Sequence, residues 1–382
     1  MQNTAGIPLL TPQLPDRVAL QPYLERIDLS RHYSNFGPLV GELETRLASN
    51  FTARNNLPLQ VVTVSSATAG LELALTSLDL PPGSRVLVPA LTFVASLTAI
   101  LRAGHLPVIC DIDPHSWLLT PEIAEACIAS SDAKAIIAVA TFGQAQDTSH
   151  WHALQQKTGV KVVIDAAAAY GSQWLDTTNI PIVFSMHATK SLAAGEGGFV
   201  VTGNSEQRQM IKELSNFGIN LNPDAQHPVG HLSYAGTNAK LSEYHAAVAL
   251  ASLDTWQQQA DARQAIYHRY QHLLQSLCGE SLIWQRGPLP AAPTTFSVRV
   301  GSDARRIKLE QLCAVQGIGT RRWYQPLLHQ HAAKVGPIMH LPTPVAESVS
   351  ADLIGLPFSP FLQDEQMRAV AANVQAVVSE IA

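Results

Sequence analysis

Disulfide chemistry is the first thing this sequence lacks. Its four cysteines, Cys110, Cys127, Cys278 and Cys313, lie scattered through 382 residues without the spacing of a bridged framework or a metal site, which fits a reducing compartment and gives no reason to expect a metal. Long apolar runs are missing too. No stretch reaches the roughly 18 residues needed to span a bilayer, and the N-terminus shows no charged start followed by an apolar segment. The expectation is a cytoplasmic protein without a membrane partner. Excess positive charge is the third absence: Lys and Arg total 25 against 30 Asp and Glu, a net charge of -5. That balance argues against a broad electropositive surface and against nucleic acid as a partner. There is no internal repeat and no low-complexity tract.

What is present is apolar material, 46% of the residues, enough for a large core, and a length that predicts two structural units. After a Pro-rich start expected to be irregular, the run from Gly37 to Phe51 spaces Leu39, Leu43 and Leu47 four apart, the pattern of an amphipathic helix. VVTVSSATAGLELALTSL, SRVLVPALTFVASLTAILRAG and LPVICDID then give three β-branched runs, the first two followed by helical stretches. AKAIIAVATFG, a helix over HWHALQQKTG, VKVVIDAAAAYG and closely spaced strands from IPIVFSMH to GGFVVTG continue the alternation. The expected fold class is α/β, a mostly parallel sheet covered by helices, with ligands at the carboxyl ends of its strands. From about Leu253 polar helices take over, FSVRV and GIGTRRWY read as isolated strands, and a terminal helix starts at Asp364. The division drawn is 1–252, an N-terminal segment and large domain, and 253–382, a small α+β domain.

Four places can carry chemistry. Lys190, in FSMHATKSLAAGEGGFVVTG, follows a buried-looking strand and precedes a glycine-rich return. Lysine forms Schiff bases with aldehyde cofactors, and partial burial lowers its pKa into a useful range; the plain alternative is an exposed loop lysine. Asp165 ends an apolar strand and is followed by small residues, where a carboxylate needs a cationic partner such as a pyridinium nitrogen, or else caps the next helix. Ser66 and Thr68, in TVSSATAGLEL, stand at a helix start able to bind phosphate, though such residues also begin ordinary helices; Ser185, in the strand before Lys190, offers another hydroxyl. Phe93, after a strand end, either stacks on a planar ring or packs in the core. The joint order is more telling than any one of them: phosphate turn, aromatic, strand-end Asp, then Lys 25 residues later.

With those residues in place the sequence resembles the DegT/StrS family of sugar aminotransferases, fold-type I enzymes that use pyridoxal 5′-phosphate (PLP). The likeness runs through GPLVGELE, SSATAGLELAL, VPALTFVAS, PVICDID, TFGQ, VIDAAAAYG, FSMHATKSLAAGEGG, NFGIN, GTNAKLSEYHAAVAL and LPFSPFLQDEQ. It implies that Lys190 is the Schiff-base lysine, that Asp165 pairs with the pyridine nitrogen, that Phe93 stacks on the ring, and that Ala67, Thr68 and Ser185 lie at the phosphate. It also implies a homodimer in which Asn238 reaches the neighbouring subunit's cofactor.

The implied reaction is ping-pong transfer of an amino group from an amino acid, L-glutamate, to a keto sugar nucleotide in amino-sugar biosynthesis for surface polysaccharide or a glycosylated metabolite. SMHATKS and TNAKLSE point to a 4-keto-6-deoxy sugar. A 3-keto sugar, a dehydrating or aromatising relative and a PLP-binding regulator are the alternatives. Ala168, Tyr170, Ala67 and Lys240 stand where the family commonly has Gln, His, Gly and Arg. Arg321, Arg322 and Tyr324 are placed where a small domain could reach the site, with exposed strand-edge residues as the equal alternative.

Overall fold

A computed structural model describes residues 6–177, 179–225 and 228–379. Helices α1 (Arg17–Ser30) and α2 (Pro38–Asn55) lead into β1 (Gln60–Val64), α3 (Ala67–Thr76), β2 (Arg85–Pro89), α4 (Val94–Arg102), β3 (Leu106–Cys110) and α5 (Pro121–Ser131). There follow β4 (Ala135–Val139), α6 (Thr148–Thr158), β5 (Lys161–Asp165), β6 (Ile182–Ser185), β7 (Gly198–Thr202) and α7 (Ser205–Ser215). The remainder is α8 (Glu243–Asp254), α9 (Trp256–Cys278), β8 (Phe296–Arg299), α10 (Asp303–Val315), β9 (Met339–His340), α11 (Pro344–Asp352), β10 (Leu353–Leu356) and α12 (Asp364–Val378).

Eight strands form one sheet in the order β1-β7-β6-β5-β4-β2-β3-β9. Only the pairings of β7, with β1 and with β6, are antiparallel; the rest are parallel. Both faces are covered, so the strands read as continuous apolar runs rather than alternating ones. Period-two geometry still sorts their side chains: Ile136 and Ala138 enter one core layer, while Ile137 and Val139 enter the other. Gly70 lets α3 settle onto the sheet, since a Cβ there would lie 2.8 Å from Val183.

A third apolar cluster, around Tyr270, Phe296, Phe358 and Val374, is built on the antiparallel pair β8–β10 with α9, α10 and α12. The chain nevertheless laces the two regions together. β9 joins the large sheet beside β3, and Asp111 at the end of β3 accepts from the N–H groups of Val345 (2.9 Å) and Ala346 (2.7 Å), capping α11. In the other direction, Ile7 bridges Ile318, and the Leu9 carbonyl accepts from the Phe358 N–H at 2.9 Å.

Three sequence expectations need correction. The Pro-rich start contains helix α1, capped by Asp16, with Pro22 inside it and Ile27 buried. GIGTRRWY is not a strand: it makes isolated bridges through Ile318 and Arg321 only. The partner of FSVRV is instead LIGL, β10.

Candidate active site

At the carboxyl ends of the strands lies a cavity of about 430 Å³. Ser66, Ala67, Thr68, Phe93, Asp165, Ser185 and Lys190 all line it, though they come from four separate parts of the chain. Asn238 does not. It is exposed, bridges Asn216, and accepts from the Lys240 ammonium at 2.7 Å.

Asp165 ends β5 at 5% exposure. No helix follows it, so it caps nothing; its Oδ1 accepts from the Ala167 N–H at 3.1 Å and its Oδ2 from the Ser96 hydroxyl at 2.8 Å. Burial raises its pKa above the ordinary carboxylate range, opposed by those two hydrogen bonds and by the charge of Lys190. Lys190 sits between the antiparallel strands β6 and β7, its backbone N–H donating to the His187 carbonyl at 2.8 Å. Burial lowers the pKa of its ammonium, and Asp165 opposes that shift.

Ser66 is the N-cap of α3, its Oγ accepting from the Ala69 N–H at 3.1 Å. The N–H groups of Ala67 and Thr68 lie in the first turn, where no carbonyl of the helix can reach them, so the turn is ready for an anion. The GEGG segment shapes the same corner. A Cβ on Gly198 would lie 2.6 Å from the Ala67 nitrogen, so only glycine lets β7 pass so close to the turn. Phe93 is 53% exposed and thus no core residue; its ring stands 6.2 Å from that of Tyr324.

Arg321 and Tyr324, placed by the sequence within reach of the site, do line it, and other lining residues went unread. Trp323 reaches the cavity too; Arg322 turns away to pair with Gln325. The Tyr324 ring lies flat on that of Phe142, at 5.4 Å and 7°, and burial together with nearby Asp165 raises its phenol pKa. Leu10 arrives from the N-terminal segment. Among the positions that depart from the common family pattern, Ala168 and Ala67 face the cavity. Tyr170 does not: it is 7% exposed, packs edge-on to Trp256 and Phe184, and burial pushes its pKa up to about 12. Its departure is a matter of core packing.

A second cluster gathers His329, His340 and Glu347. The two imidazoles stack at 4.3 Å and 14°, and one ligand atom from each of the three residues lies within 4.8 Å of the others. The cluster is a strut between the segment after Tyr324, strand β9 and helix α11.

Known proteins share this fold. An assigned PLP-dependent aminotransferase of Bacillus cereus superposes with a TM-score of 0.86 at 25% identity, over 97% of this chain and 99% of its own. DesI, solved with its TDP-sugar product, gives 0.84 at 29% identity, over 98% and 93%. DesV of S. venezuelae gives 0.82 at 27% identity, over 97% and 100%. The fold is therefore that of the fold-type I PLP aminotransferases. Residues 17–375 match the DegT/DnrJ/EryC1/StrS aminotransferase family, and the chain belongs to it.

Proposed function

We propose that this aminotransferase holds PLP in the cavity and moves an amino group from L-glutamate to a keto sugar nucleotide, in the narrower reading a 4-keto-6-deoxy sugar. One observation carries the reading: a buried carboxylate, an amine of lowered basicity and an open helix N-terminus line one cavity. The similarity to DesI, solved with a TDP-sugar product, supports a nucleotide sugar as acceptor.

The residues fit the cofactor. Asp165 offers a carboxylate to a protonated ring nitrogen, Phe93 offers a ring face, and the Ala67 and Thr68 N–H groups with the Ser66, Thr68 and Ser185 hydroxyls suit a phosphate. Asn238 of the partner subunit completes the phosphate contacts in the homodimer. When bound, PLP supplies an aldehyde for the amino nitrogen and a ring that accepts the electron pair released at the substrate carbon.

Lys190 does the proton work. Its Nζ takes the proton from the α-carbon of the amino donor, then delivers one to the sugar carbon that gains nitrogen. Lowered basicity increases the fraction of Nζ free to do so at a given pH. Phe142, Val139 and Tyr324 present apolar surface to the reacting atoms and keep water from them. The cavity draws on both proposed domains, 1–252 through Gly197 and 253–382 from Thr294 to Tyr324.

The test is the absorption spectrum of PLP-supplemented wild type and Lys190→Ala. Wild type alone should show the lysine-bound PLP band, and L-glutamate should convert it to the pyridoxamine form. A TDP-linked 4-keto-6-deoxyhexose should then restore it. A spectrum indifferent to Lys190 sinks the proposal; reversal by a 3-keto sugar nucleotide instead would move the amination site.

A further inference from the structure

Helix α4 begins with a turn that does two things at once. Phe93, its N-cap, points an exposed ring into the cavity, while Thr92 and Ser96, four residues apart, turn their hydroxyls inward at 2% and 0% exposure. Around them Leu97, Ala99 and Ile100 are buried and apolar. A hydroxyl in such surroundings is costly unless paired, and Ser96 is paired in a directed way. Its Oγ lies 2.8 Å from Asp165 Oδ2 and 3.0 Å from Thr92 Oγ1. An ionised carboxylate can only accept, so the single Ser96 hydrogen goes to Asp165, and Thr92 must donate to Ser96. The charge on Asp165 thereby fixes the direction of the whole relay. With Ala167 N–H on Oδ1, each carboxylate oxygen has one donor from the protein.

We propose that Ser96 is a positioning residue: its hydroxyl, aimed by Thr92, fixes the Asp165 carboxylate in place and keeps it ionised toward the cofactor ring. Burial works against that charge, and Ser96 is the leading group that offsets it. The inference rests on the PLP reading given above. Without the relay a proton shared between ring nitrogen and carboxylate shifts toward the carboxylate, and the ring becomes a poorer electron acceptor.

The experiment uses holoenzyme reconstituted with PLP labelled with ¹⁵N in the ring, comparing wild type, Ser96→Ala and Thr92→Val. In wild type the nitrogen signal should lie at the protonated position. In Ser96→Ala it should move toward the unprotonated position, and the glutamate half-reaction should slow about 10- to 100-fold, as for loss of a hydrogen bond to a charged group. Thr92→Val, which keeps the side-chain shape, should give a smaller change in the same direction and remains informative if Ser96→Ala does not fold. Variant signals identical to wild type would reduce Ser96 to helix packing and overturn the inference alone. A wild type with no protonated nitrogen signal would overturn the PLP reading with it.

Discussion

Lys190 and Asp165 line one cavity, where the Asp165 carboxylate opposes the effect of burial on the Lys190 ammonium and the Lys190 charge adds to the two hydrogen bonds that hold the Asp165 carboxylate. Removing the lysine therefore does more than remove a nucleophile. Lys190→Ala should abolish the lysine-bound PLP band and lower the rate of the glutamate half-reaction by at least about 10³-fold, within the range of general acid–base contributions. Stopped-flow absorbance would measure both.

The carboxylate should cost the cofactor-free protein stability. The folded-state pKa of Asp165 is raised, so its contribution is fully present below the unfolded value of 3.8 and is lost as pH rises through the folded value. Asp165→Asn removes that loss. The variant's gain in cofactor-free melting temperature over wild type should therefore be larger at pH 8 than at pH 4, while its transaminase activity falls. A gain independent of pH would contradict the assignment.

Phe93 should separate binding from folding. With its ring 53% exposed, Phe93→Ala should change unfolding free energy by less than about 0.5 kcal/mol, yet weaken PLP binding roughly tenfold through lost stacking. Equilibrium dialysis and urea unfolding on the same preparation would show whether the two effects part.

Gly198→Ala should do the opposite, damaging both. Its new methyl would press on the Ser66–Ala67 backbone, a rigid neighbour, at a cost of about 1–3 kcal/mol, and would move the N–H groups offered to phosphate. A lower unfolding midpoint together with weaker PLP binding is expected.

Outside the cavity lining, Glu243 is 1% exposed and caps α2, its two oxygens accepting from the Leu39 and Val40 N–H groups at 2.9 Å each. Glu243→Ala leaves two buried donors unpaired and should cost about 2–4 kcal/mol. Glu243→Gln, which keeps one acceptor oxygen, should cost less. Chemical denaturation of both variants would rank them.

The sequence announced the large sheet clearly because β-branched runs such as AIIAV and KVVID are buried on both faces, and that burial writes itself into composition. Lys190, Asp165, Ser66 and Phe93 were legible for a related reason: each stands at the carboxyl end of a strand or within five residues after one, where a polar or exposed residue breaks an apolar pattern. Helix α1 was hidden behind Pro22, which stands sixth in the helix, past the first turn where proline is ordinarily tolerated. β9 is two residues long and carries no periodicity at all; its place beside β3 depends on contacts some 230 residues away in the chain. Ser96 could have been found. Its spacing from Thr92 puts both on one face of the turn that presents Phe93, but the carboxylate they serve lies 69 residues further along the chain.

The lacing of the chain also bears on how this enzyme can be divided and rebuilt. A gene cut at 252/253 would deliver a first fragment missing the edge strand and the helix that Asp111 caps, and a second missing the strap formed by Ile7 and Leu9. Each product would carry part of the other's architecture. The two regions therefore cannot be swapped between relatives as independent cassettes at that boundary; an exchange would have to carry the first ten residues along with the C-terminal half and return 327–352 with the sheet.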